Sequence, residues 1–281
     1  MCYLYVLRHG VKYCTKMTSP PEFLDLPAEP EPRNLAEVLA TDPATVPAFR
    51  RQLGYVGLHL DAAGLGSVTP FIEIYTTMTD SVKGTLSEGP AEANHQFENP
   101  KRLAALTCEF GRLFFDALRG GLNGERVAPA WQHLFDLGDQ RRTDAELAWQ
   151  GVNAHILNDL APAAYNTGFV PGSGQDYFMV NENIKDAANT LAARYVPGPS
   201  ALKSGVAVVG NGVAVRMRAR AWSDLVAMHG AADDPEAFQQ AVLAREQMAL
   251  RVSRQTAWAG SLAAGAAMMV GKGPVSRRQA A

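Results

Sequence analysis

The sequence predicts an all-α protein, a single helical-bundle domain behind an irregular, proline-rich N-terminal segment. Three observations carry this. Apolar residues recur three and four apart through most of the chain, the period of one helix face. Runs that alternate with period two are few, and strand and helix patterns do not alternate regularly. Proline and glycine fall where helices start and stop. A chain of 281 residues holds one large domain or two small ones. We expect residues 1–50 to be the leader, 51–256 the helical domain and 257–281 a C-terminal helix and tail.

Residues 18–48 are rich in Pro, Glu and Asp and predict irregular chain with one short helix near Asn34 to Ala40. Thr45 to Ala63 has helical spacing and stops at Gly64. Thr69-Pro70 starts the next helix, with Phe71, Ile74, Tyr75 and Met78 on one face. Asn99-Pro100 starts another, with Leu103, Leu106, Phe110, Phe114 and Leu118, and Gly120-Gly121 is expected to end it. Pro129 opens a short helix with Trp131, Leu134 and Phe135. Asp144 to Tyr165 is the central helix, followed by a glycine-rich loop, Gly168 to Gly174. Asp176 to Arg194 is helical. The segment Gly205-Val-Ala-Val-Val-Gly210 reads as a candidate strand, with helix from Val215 to Met228. Pro235 to Met269 completes the chain as helix.

Net charge is −2 with a pI near 6.3, so no basic face is advertised and nucleic acid is not an expected partner. Cys2, Cys14 and Cys108 match no zinc spacing and cannot all pair. They read as reduced thiols in a cytoplasmic protein. The apolar start, Met1 to Leu7, is cut short by Arg8 and His9, which argues against a signal peptide. Trp258 to Val270 is apolar but too short to span a bilayer, so no integral membrane segment is expected.

The stretch from Trp149 to Leu160 carries the most chemistry. Asn153, His155 and Asp159 interrupt a run that would otherwise be core. Buried polar groups are costly unless satisfied. His155 and Asp159 stand four apart, one turn along the same helix side. That spacing suits an imidazole held by a carboxylate, a shared divalent metal ion, or a paired core histidine. Tyr75 and Asp80 are candidate pocket residues, beside threonines that can bond back to their own helix. Asp176 fits an N-cap and is also a candidate third metal ligand with His155 and Asp159. Asn181 lies inside its helix, where it could face His155. Arg216, Arg220 and Trp222 form a late cluster that could neutralise Asp159 or Asp176, or clamp an anion. Tyr75, Asp80, Trp131, Asn153, Asp176, Asn181, Arg216 and Trp222 are therefore the expected substrate-binding set.

Leu4-Tyr5-Val6-Leu7-Arg8-His9-Gly10 resembles the first-strand signature of histidine phosphatases, with His229 as a candidate second histidine. That chemistry needs an α/β sheet, and the strands for one are missing from the middle of the chain. His59, His95 and His133 read as surface or interhelical residues.

In order, Phe71…Tyr75…Thr79, Phe97 to Phe115, Trp131…Phe135, the block Gly151-Val-Asn-Ala-His-Ile-Leu-Asn-Asp-Leu160, Asp176-Tyr177…Val180-Asn181 and Arg220-Ala-Trp222 resemble one bacterial family, domain of unknown function 5995. The resemblance covers roughly residues 55–255 and implies a helical fold without naming a reaction. A weaker likeness is to the zinc phospholipase C and P1 nuclease group, which uses a Gly-x-x-x-His-x-x-x-Asp helix followed by Pro-x-His. Gly151, His155, Asp159 and Pro162 line up with it, but position 164 is alanine. That departure argues against a three-zinc site and leaves one ion on His155 and Asp159. Two classes of function follow. One is an enzyme on a small molecule, of hydrolase, lyase or cyclase type, with His155 as acid or base and Asp159 orienting it or binding metal. The other is a non-catalytic helical protein for a hydrophobic ligand or partner, in which the same polar groups fix helix register.

Overall fold

The computed structural model describes residues 32–87, 97–138, 140, 142–195 and 199–269. Every regular element among them is helical, so the all-α prediction holds. In chain order the α-helices are α1 (Leu35–Val38), α2 (Val46–His59), α3 (Thr69–Ser87), α4 (Pro100–Asn123), α5 (Pro129–Asp136), α6 (Asp144–Ala154), α7 (Leu160–Asn166), α8 (Gln175–Tyr195), α9 (Ser200–Gly230) and α10 (Pro235–Met269). Side-chain caps explain several starts. Asn34, Thr45 and Asn99 each accept the backbone N–H three residues on. Thr143 and Glu146 bond reciprocally as a capping box ahead of α6. Such caps are each worth about 1 kcal/mol.

The core has two parts. In one, Phe49, Phe71, Tyr75, Phe114 and Trp131 join α2, α3, α4 and α5. In the other, Phe97, Leu103, Phe169, Tyr177 and Leu225 join the start of α4 to α8 and α9. Burying each such side chain contributes roughly 1.5–3 kcal/mol. Phe110 and Ile156 pack against both parts, so the boundary passes beside His155.

Four features differ from the sequence reading. Gly120 and Gly121 lie inside α4, which ends instead at Gly124 with φ of 66°. A Cβ at either would crowd Val127 or Phe135, so these glycines serve close packing rather than a stop. Residues 205–210 are helix, because Ala207, Ala214 and Met217 bury one side of α9 at helical spacing, and α9 packs on α8. Leu35, Val38 and Leu39 share the core with Phe49, so the helical body extends N-terminal of residue 51. Likewise α10 runs unbroken through position 257. The stretch around His9, with Cys2, Cys14 and His95, lies outside the described residues, as do the side chains of 256–269. No helix among the described residues is long and apolar enough to cross a membrane.

Candidate functional site: a histidine in an aromatic cage

The central helix is not uniform. Between α6 and α7, His155–Asp159 forms a π-helical turn. Pro162 supplies a local reason. It has no N–H for the carbonyl four residues back, and its ring crowds that carbonyl. A wider turn just before it relieves both. π turns of this kind are frequent at functional sites.

The turn sets His155 inward, at 2% exposure, and Asp159 at 4%. His155 Nδ1 lies 2.9 Å from Asp159 Oδ2. Trp131 Nε1–H donates to the same oxygen at 2.9 Å, and Asn158 Nδ2 donates to Oδ1 at 2.6 Å. Five rings surround the imidazole. Phe110 stacks on it with centroids 3.5 Å apart and planes 5° apart. Tyr75 meets it edge-on at 4.4 Å, and Phe71, Phe114 and Trp131 complete the cage. Gly151 is required here, since a Cβ would overlap the Phe71 ring. Two buried polar atoms in the cage have no hydrogen-bond partner: His155 Nε2 and the Tyr75 hydroxyl.

The electrostatics follow from burial. Desolvation holds the His155 imidazole below its ordinary value, against the opposing pull of Asp159. The ring is therefore neutral near pH 7, and with Asp159 accepting at Nδ1, the lone pair lies on Nε2. Burial pushes the Tyr75 hydroxyl well above its usual range, and the charges of Asp159 and Cys108 add to that. It stays protonated and is a poor acid but a competent hydrogen-bond donor. Burial also disfavours the charge on Arg245, which is 6% exposed, while Asp159, Glu246 and Asp224 support it.

Of the residues singled out in the sequence, His155, Asp159, Tyr75 and Trp131 meet here. Asn153 lies on the same central helix but turns to α10, donating to the Ala249 carbonyl and the Ser253 hydroxyl. Asp176 is spent elsewhere. Its two oxygens accept the Glu98 and Asn99 backbone N–H groups, each at 2.7 Å, and so anchor the start of α4. The three-ligand set of His155, Asp159 and Asp176 is therefore not formed, and no three His, Cys, Asp or Glu side chains converge among the described residues. Asn181 accepts from Arg218 Nε at 2.9 Å rather than facing His155. Asp80 is exposed and paired with Arg50 at 2.7 Å. Arg216 is exposed, and Arg220 pairs with Asp224 at 3.0 Å. Trp222 packs on Tyr177 and Phe178, in the other part of the core. His229 Nε2 lies 2.7 Å from the Phe169 carbonyl, a packing contact.

Sequence reasoning missed Phe110, Asn158 and Arg245. Phe110 was visible only as one more apolar position on α4. Arg245 had a signal, since it is eight residues before Ser253 and shares with Ala249 and Ser253 the buried stripe of α10. Gln150 and Asn153 bond to that stripe, so α10 lies along the central helix.

The chain belongs to a family of unknown function, DUF5995, whose model matches residues 60–261. No curated protein and no solved structure matches it. The matched span runs from the end of α2 to within α10 and contains every residue of the cage.

Proposed function

We propose that this chain is a small-molecule enzyme in which His155 is the general base. The observation that supports this most is the pair of unpartnered, fully buried polar atoms, His155 Nε2 and the Tyr75 hydroxyl, inside one aromatic cage. A buried group without a partner costs about 1–3 kcal/mol, so a fold that keeps two within one cage needs a reason. In this reading Nε2 takes a proton from the substrate. Asp159 holds Nδ1–H and steadies the imidazolium that forms. The Tyr75 hydroxyl donates a hydrogen bond to the oxygen on which negative charge develops. The imidazolium then returns the proton to product or leaving group. The substrate is small and largely apolar, with one polarisable oxygen, and the reaction is of hydrolase, lyase or cyclase type. The free thiol of Cys108 fits action in the cytoplasm.

The test uses a panel of small ketones, aldehydes and esters in D2O, read by proton NMR for deuterium uptake or cleavage. Turnover by the wild type should fall at least about a hundredfold in His155→Ala. Loss of turnover in Tyr75→Phe should be smaller, because only a hydrogen bond goes. The parallel stacking of Phe110 on the imidazole favours a second reading, a non-catalytic site for a hydrophobic ligand. No reaction with any member of the panel, together with equal thermal stabilisation of wild type and His155→Phe by small apolar molecules, decides for that second reading.

A further inference from the structure

Two arginines lie deep in the fold and are held in opposite ways. Arg218 is 5% exposed. It donates to Asn181 and to the Tyr177 carbonyl, and its guanidinium lies 4.5 Å from the centre of the Tyr177 ring. Arg245 is 6% exposed, and among the described residues its one hydrogen-bond partner is the Met228 sulfur at 4.0 Å. A thioether sulfur is a weak acceptor. The Arg245 Nε–H is buried and has no partner. A guanidinium carries five N–H donors and stays charged, so it cannot escape that cost by losing a proton.

Arg245 stands on the same boundary as His155. Met228 belongs to the core part around Tyr177, and Ala249, one turn along α10, to the part around His155. The π turn packs against α10. On that turn Asn158 gives an N–H to Asp159, which fixes the orientation of its amide and leaves Oδ1 buried without a partner. A bare donor on α10 and a bare acceptor on the turn therefore flank one seam.

Charge is not what the seam lacks. Asp159, Glu246 and Asp224 are within electrostatic reach of Arg245. Asp224 also pairs with Arg220. Two guanidinium groups thus face three carboxylates, and an anion would add to the excess. We propose that the seam binds a neutral primary carboxamide group of the substrate, with its carbonyl oxygen on Arg245 and its N–H on Asn158 Oδ1. Such a group carries both an acceptor and a donor, as the two bare atoms require. That the other end of the same molecule meets His155 rests on the reading of His155 as general base.

Thermal unfolding and calorimetric titration of the full chain with benzamide, whose ring suits an apolar site, are the test. Benzamide should raise the thermal midpoint and bind in about the millimolar range expected of so small a ligand. Benzoate should not, and N,N-dimethylbenzamide, which keeps the carbonyl and loses the N–H, should bind more weakly. In Arg245→Met benzamide binding should fall at least about tenfold with helical content unchanged. Should that variant fail to fold, Arg245→Lys keeps the charge without the planar fork and should show a loss in the same direction. In heteronuclear NMR spectra the Arg245 Nε–H signal, assigned by its absence from Arg245→Lys, should move on addition of benzamide. A wild type that does not respond to benzamide overturns the proposal. So does benzamide binding that survives both arginine variants, or benzoate binding as tight as that of benzamide. None of these measurements needs turnover. A chain inert towards the carbonyl panel that binds benzamide through Arg245 loses the base and keeps this site, and one with turnover but no benzamide response does the reverse.

Discussion

The two parts of the core treat buried polar groups in opposite ways. Around Tyr177 the three side chains Asp176, Tyr177 and Arg218, which tie α4, α8 and α9 together, are all engaged. Asp176 accepts two backbone N–H groups, the Tyr177 hydroxyl donates to the Arg218 carbonyl, and Arg218 donates to the Tyr177 carbonyl and Asn181. Around His155 the carboxylate is fully engaged, yet the imidazole and the tyrosine facing it each keep a bare polar atom. A closed network rigidifies, whereas an open one leaves donors and acceptors for something else. The difference separates a clasp between helices from a candidate site.

The largest expected effect probes the clasp. Asp176→Ala strips two charge-assisted bonds from the start of α4 and should cost about 3–4 kcal/mol of unfolding free energy. Chemical denaturation checks this, and the His155 ring signals in NMR should not move. If they do, the two regions are one network.

Next is the site itself. His155→Ala should cost at least about a hundredfold in turnover, near 2.7 kcal/mol, and Asp159→Asn nearly as much. His155→Phe should cost less stability than Asp176→Ala, because it removes one donor to the buried Asp159 but also the unpartnered Nε2. A large loss of stability in His155→Phe would make the site a clasp as well. Turnover should survive a chelator, because both Asp159 oxygens already accept from His155, Trp131 and Asn158. Loss of activity in chelator, restored by a divalent cation, would return a metal to the centre.

A smaller effect is expected for Trp131→Phe. The ring remains and the indole N–H to Asp159 is lost, at about 1.5–2 kcal/mol for a bond to a charged acceptor. The smallest concerns pH. His155 has a lowered value in the fold. The unfolded chain therefore binds a proton near pH 6.5 that the native state refuses. Stability is full above about pH 6.5 and falls as pH drops below it. His155→Phe should remove that slope from a plot of thermal midpoint against pH, while Asp176 variants should keep it.

The sequence made the site half legible. His155 and Asp159 stood out because polar residues four apart inside an apolar run carry a cost that needs an explanation. Trp131 and Tyr75 were visible as aromatics on faces of helical period. Asp176, Asn181 and Trp222 looked equivalent to them, since each is a polar or aromatic residue on an apolar face. Nothing local told that Asp176 reaches 77 and 78 residues back to the start of α4. The strand reading of 205–210 failed for a related reason. Valine and glycine favour extended chain locally, and burial of Ala207 and Ala214 against α8 overrode that preference.

By itself the sequence determined the helical class, most helix starts and the placing of His155 and Asp159 one turn apart on one helix side, because caps, apolar period and spacing of four act over one or two turns. The tertiary structure alone decided which aromatics enclose the imidazole, that Asp176 belongs to the other half of the core, and that Arg245 on α10 comes within electrostatic reach of Asp159. Those contacts join helices up to about 100 residues apart in sequence, and their energies come from burial and charge, which local periodicity does not encode.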